Sequence, residues 1–175
     1  MRGFVRLIIP SGLEIVYWRA CAHRATAQQS DNQMLDSRFT IRRPLCVLHV
    51  DDQALNRRLV ADILVGYGHE GVEAQSGQEA LDLLDCWRFD VVLMDINMPG
   101  MTGSEAVQRL RSSLGRARDT PVIALTSEVH RTTANYLALG FNAFVAKPFK
   151  IATLLEAIAA CSRTETMPPI IQSAA

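Results

Sequence analysis

From Leu45 onward, five short apolar runs alternate with five longer stretches of helical periodicity, a rhythm that restricts the possible folds more than any other feature of the chain. The first run, Leu45 to Val50, is stopped by Asp51-Asp52, and the others span Gly71–Gln75, Phe89–Met94, Pro121–Leu125 and Ala143–Ala146. Runs that are apolar throughout, without in-and-out alternation, predict strands buried on both faces. Between the first two runs, Leu55, Leu59 and Ile63 recur every four residues with Val60 and Leu64 beside them. Arg57, Arg58 and Asp62 lie opposite, so the spacing predicts an amphipathic helix ending near Gly66 or Gly68. Ser76 with Glu79, and Thr102 with Glu105, have capping-box spacing and predict the starts of the second and third helices. A fourth helix is expected from Glu128 to Leu139, and a fifth after Pro148 with Ile151, Leu154, Leu155 and Ile158 on one face. Parallel neighbours need a crossover, and each crossover here is a helix. The expected fold is therefore α/β, a doubly wound five-stranded parallel sheet with five helices.

In such sheets ligands bind beyond the carboxyl ends of the strands. Those ends carry Asp51 and Asp52 after the first run, Asp95 after the third, Thr126 after the fourth and Lys147 after the fifth. Crowded carboxylates raise one another's pKa values unless a cation intervenes, and hard oxygen donors without His or Cys favour magnesium over zinc. Asp95 can then act as a nucleophile toward a phosphoryl group, with the metal and Lys147 neutralising oxygens and Thr126 donating a hydrogen bond. Taken singly, each residue has a plainer reading: Asp51, Asp52 and Thr126 as helix caps, Asp95 as a turn residue before Met98-Pro99-Gly100, Lys147 as an exposed charge. Their joint occurrence at the ends of four strands favours the site.

Four ordered stretches resemble the receiver domain of two-component response regulators: Val50-Asp51-Asp52 with Asn56-Arg57, Leu93 through Gly103, Ile123 through Ser127, and Gly140 through Phe144 to Lys147-Pro148. The resemblance runs from Leu45 to Ser162. It implies a flavodoxin-like sheet of strand order 2-1-3-4-5, with Asp95 as phosphoacceptor, Asp52 as a direct magnesium ligand and Asp51 as the acid acting through water. Asn97 would offer its backbone carbonyl to the same ion. Thr126 is implied as the switch hydroxyl, Lys147 as its companion cation, and Phe144 as the switch aromatic, acting by burial alone because it lacks a hydroxyl. A cis bond before Pro148 is also implied. Asn97 and Glu128 would flank the path of an attacking water and shorten the phosphoryl lifetime, while the small Ser127 would keep the pocket open to a donor imidazole. The implied donor is a histidine kinase or histidine phosphotransfer protein, and the implied output surface is the fourth helix, fifth strand and fifth helix.

The 18 basic and 18 acidic residues cancel, which argues against a nucleic-acid arm or a polybasic membrane anchor. No apolar run reaches the length of a membrane span. Cys21, Cys46, Cys86 and Cys161 form no CxxC pair, consistent with a reduced, cytoplasmic compartment. Residues 1–44 show no sustained periodicity and are expected to be a poorly ordered extension, with Met34 an alternative start; residues 163–175 are expected to be a disordered tail. His49 is expected to be packed in the core, and His69 and His130 to lie on the surface. The expectation is a non-enzymatic signalling module without an output domain. A haloacid-dehalogenase-type phosphatase is the enzyme alternative, disfavoured because Asn97 stands where its general acid would be. A phosphorylation-independent interaction domain and a fragment of a hybrid kinase are the remaining alternatives.

Overall fold

The computed structural model describes residues 43–127 and 132–162 in full, and residues 4–8 and 14–18 as backbone. The latter form an antiparallel pair, β1 (Phe4–Ile8) and β2 (Glu14–Trp18), in register from Phe4 opposite Trp18 to Ile8 opposite Glu14. No regular element was expected here. Val5, Ile8, Ile15, Val16, Tyr17 and Trp18 nevertheless supply the β-branched and aromatic character that favours strands. The remainder of residues 1–44 up to residue 42, and the expected tail at 163–175, lie outside the described residues.

The second sheet is parallel, with order β4-β3-β5-β6-β7. Its strands are β3 (Cys46–Val50), β4 (Glu70–Ala74), β5 (Val91–Asp95), β6 (Val122–Thr126) and β7 (Ala143–Ala146). Numbered from β3, that order is 2-1-3-4-5, the doubly wound arrangement expected from the sequence. Every residue of β5 and β6 is buried, as apolar central strands require. One face packs Leu48, Val50, Val92, Met94 and Ala124 against the second and third helices. The other packs Val47, Leu93, Ile123 and Leu125 against the first and fifth.

The helices are α1 (Ala54–Gly66), α2 (Gly77–Cys86), α3 (Gly103–Ser112), α4 (Thr133–Ala138) and α5 (Ile151–Ser162). Both expected caps form: Ser76 Oγ accepts from Glu79 N–H at 3.2 Å, and Thr102 with Glu105 makes a complete capping box. In α1 the buried residues are Val60, Ile63 and Leu64, whereas Leu55 and Leu59 are 85% and 55% exposed. A strict four-residue repeat advances about 40° per step around a 3.6-residue helix, so only its last member reaches the core. Ile151 is likewise exposed, and α5 buries Leu154, Leu155, Ala157, Ile158 and Ala159. The described part of α4 starts after Thr132, whose N–H donates to Asn135 Oδ1 at 3.0 Å. Glu128 and His130 lie outside the described residues. His69, expected at the surface, is buried, and its Nδ1 accepts from Leu45 N–H at 3.4 Å.

Candidate functional site

Because β3 and β5 are neighbours, their carboxyl ends set two acids side by side. Asp51 continues β3 by one residue, its N–H donating to Ala74 O at 3.1 Å, and Asp95 is the last residue of β5. One carboxylate oxygen each from Asp51, Asp52 and Asp95 lies within 4.8 Å of the others. Asp51 and Asp95 are buried and Asp52 is exposed, so the cluster opens outward on one side. Lys147, just past β7, donates from Nζ to Asp51 Oδ2 and to Asp95 Oδ2, both at 2.8 Å. Its own N–H donates to Thr126 O at 2.6 Å, and the Lys147–Pro148 bond is cis.

Asp51 is held on every side. Its Oδ1 accepts from Gln53 N–H at 2.9 Å, and Asn56 Nδ2 lies 3.1 Å from both of its oxygens. The N-cap of α1 is Gln53, without a side-chain cap bond, so neither Asp51 nor Asp52 is the N-cap residue of the helix. Arg57 donates to Asp51 O at 2.7 Å and Asp52 O at 3.2 Å, and its Nε lies 3.3 Å from Glu73 Oε2. Asn56 and Arg57 therefore set the shape of the acidic turn. The sequence held a signal for Arg57, since it lies three and seven residues before the buried Val60 and Leu64 rather than opposite them.

Burial pushes the Asp95 carboxyl above its ordinary value despite the opposing pull of Lys147, and the Asp51 charge adds to the rise. At Asp51 burial acts upward too, but Lys147, the Gln53 N–H and Asn56 outweigh it and hold the carboxyl below its ordinary value. Burial lowers Lys147, and the two carboxylates more than reverse this, so its ammonium stays charged. Three carboxylates with one ammonium bonded among them leave an excess of negative charge, in an all-oxygen donor set suited to a hard divalent cation.

Asn97 is exposed two residues beyond Asp95, with its N–H 3.4 Å from Asp95 Oδ1. Thr126 is wholly buried at the end of β6, and its Oγ1 accepts from Tyr136 Oη at 3.2 Å. Phe144 on β7 is half-buried and stacks on Tyr136 with ring centres 4.9 Å apart. Ser127 is exposed at the rim. Tyr136, one turn before Gly140, was not singled out from the sequence.

Residues 47–159 match the response regulator receiver domain family. The chain belongs to that family. It is 36% identical over 114 residues to chemotaxis protein CheY of Pseudomonas aeruginosa, covering 64% of this chain and 91% of that protein. Among solved structures, response regulator TrrA from Thermotoga maritima, in complex with Mg(2+)-BeF, is 30% identical with a TM-score of 0.59, covering 67% of this chain and 98% of that one. The receiver domain of sensor histidine kinase PA1611 from Pseudomonas aeruginosa, with a magnesium ion coordinated in its active-site cleft, is 28% identical with a TM-score of 0.60, covering 66% and 94%. The chain spans only 17% of the length of transcription factor SKN7 of Saccharomyces cerevisiae, to which it is 36% identical over 111 residues, covering 63% of this chain. Receiver domains thus occur both alone and inside much longer proteins. No described helix is long and apolar enough to cross a membrane.

Proposed function

We propose that Asp95 is the phosphoacceptor and that its donor is the phosphohistidine of a histidine kinase or histidine phosphotransfer protein. The observation that carries this reading is the Lys147 ammonium bonded at 2.8 Å to both Asp51 and Asp95, with Asp52 completing the acidic cluster. An Asp95 carboxylate oxygen attacks phosphorus, an O–P bond forms and the N–P bond breaks. The electron pair of that bond returns to the imidazole nitrogen, and because the other ring nitrogen of the donor carries a proton, the leaving group is neutral histidine. Asp51, Asp52 and Asp95, with the Asn97 carbonyl, would hold magnesium, whose charge would offset that of the phosphoryl oxygens. Lys147 keeps Asp95 aligned and supplies a second positive charge, and Thr126 donates to a phosphoryl oxygen. Ser127 leaves room for the incoming imidazole.

The exposed Asn97 offers no acid two residues beyond Asp95, which supports a stored phosphoryl group over phosphatase turnover. Phosphoramidate carries the same N–P bond as the donor and serves as its probe. Incubated with phosphoramidate and magnesium, the full chain is expected to gain one phosphoryl group by intact mass, and Asp95→Asn or chelated samples none. A folded wild-type chain that gains nothing would overturn the reading.

A further inference from the structure

We infer that Tyr136 is a positioning residue for Thr126, its phenol holding the threonine hydroxyl in the unphosphorylated arrangement and its ring linking that hydroxyl to Phe144. The inference rests on the reading of Asp95 as phosphoacceptor and of Thr126 as the hydroxyl that moves toward the phosphoryl group. Tyr136 is 1% exposed, and a phenol that deep requires a hydrogen-bond partner. Its Oη donates to Thr126 Oγ1 at 3.2 Å, across the gap between α4 and the end of β6. Its ring is clamped, stacked on Phe144 at 4.9 Å and 25°, and meeting Phe141 edge-on at 6.1 Å and 82°.

Phe144 has no hydroxyl with which to sense Thr126, and Tyr136 supplies one from a different element. Thr126 is the acceptor in this bond, so the arrangement is compatible with its donating to a phosphoryl oxygen. At 3.2 Å the bond is already at the long end for two hydroxyls, and the clamped ring cannot follow a departing threonine. Movement of Thr126 toward Asp95 therefore breaks it. A neutral buried hydrogen bond of this kind shifts an equilibrium by about fivefold. Tyr136 thus opposes activation, and its release alters the packing of α4 against β7.

Beryllofluoride with magnesium, a phosphoryl mimic, tests this on the full chain by calorimetric titration. Tyr136→Phe keeps the stacked ring and removes only the hydroxyl. It is expected to bind the mimic about fivefold more tightly than wild type. In a Thr126→Val background, where this bond is absent, the gain from Tyr136→Phe is expected to be lost. Equal or weaker binding by Tyr136→Phe, or the same gain in both backgrounds as a merely space-filling ring would give, overturns the inference while leaving the phosphoacceptor reading intact. Failure of wild type itself to bind the mimic overturns both.

Discussion

Lys147 bonds two of the three clustered carboxylates, so its removal leaves Asp51 and Asp95 facing each other without compensation. Hydrogen bonds to charged groups contribute about 1.5–3 kcal/mol, and Lys147→Met is expected to lower stability by about 2 kcal/mol in urea unfolding. Magnesium is expected to raise the melting temperature of that variant by more than it raises wild type, because the added cation takes over the lost neutralisation. His49 gives a second prediction. It is 1% exposed on β3, neither ring nitrogen has a hydrogen-bond partner among the described residues, and burial pushes its imidazole from 6.5 down to about 4, with Asp51 opposing and Lys147 and Arg57 assisting. The unfolded chain therefore takes up this proton first on acidification. The stability is fully present above pH 6.5 and is lost as pH falls toward about 4. Relative to His49→Leu, wild type is expected to lose roughly 3 kcal/mol between pH 7 and pH 4 in urea unfolding. A pH-independent difference would contradict a neutral buried imidazole. The strand-end acids and Lys147 were legible in the sequence because strand termini could be read from where the apolar runs stop. Tyr136 was not, because nothing local to α4 says that its hydroxyl meets Thr126 on another element.

At the scale of elements, the start of α3 is pressed against the end of β5. Gly103 N–H donates to Ile96 O at 2.9 Å, and a Cβ at Gly103 would stand 2.1 Å from Asp95 O and 2.9 Å from Met94 Cγ. Backbone cannot yield as a flexible side chain can, so Gly103→Ala must displace either the helix or Asp95. The expected outcome is a loss of about 1–3 kcal/mol together with slower phosphorylation, measured by urea unfolding and by the rate of mass gain with phosphoramidate. Unchanged rate and stability would mean that α3 approaches Asp95 less closely. The two caps at Ser76 and Thr102 were readable because they depend on residues three apart in the chain. The buried face of α1 was misread because apolarity alone marked Leu55 and Leu59. Arg57, polar but turned toward the strand ends, occupies the inner side of the first turn by virtue of the carbonyls of Asp51 and Asp52.

For the whole molecule, the described core side chains run from Leu45 to Cys161, on both faces of the parallel sheet. A chain beginning at Arg42 is accordingly expected to melt within a few degrees of the full chain and to be phosphorylated at the same rate. A large drop in either would give the β1–β2 pair a structural part in the receiver. The α/β class was legible because four helical crossovers join the five strands, and the strand order followed from the receiver resemblance. The β1–β2 pair was not legible, since no alternation with helical stretches sets its two runs into a rhythm. Asp95 alone among the clustered acids is expected to accept the phosphoryl group. Borohydride reduces an aspartyl phosphate to homoserine, which peptide mass spectrometry locates after treatment with phosphoramidate and magnesium. Homoserine is expected at position 95 alone; homoserine at position 51 or 52, or at none of the three in a chain that has gained a phosphoryl group, would contradict the account.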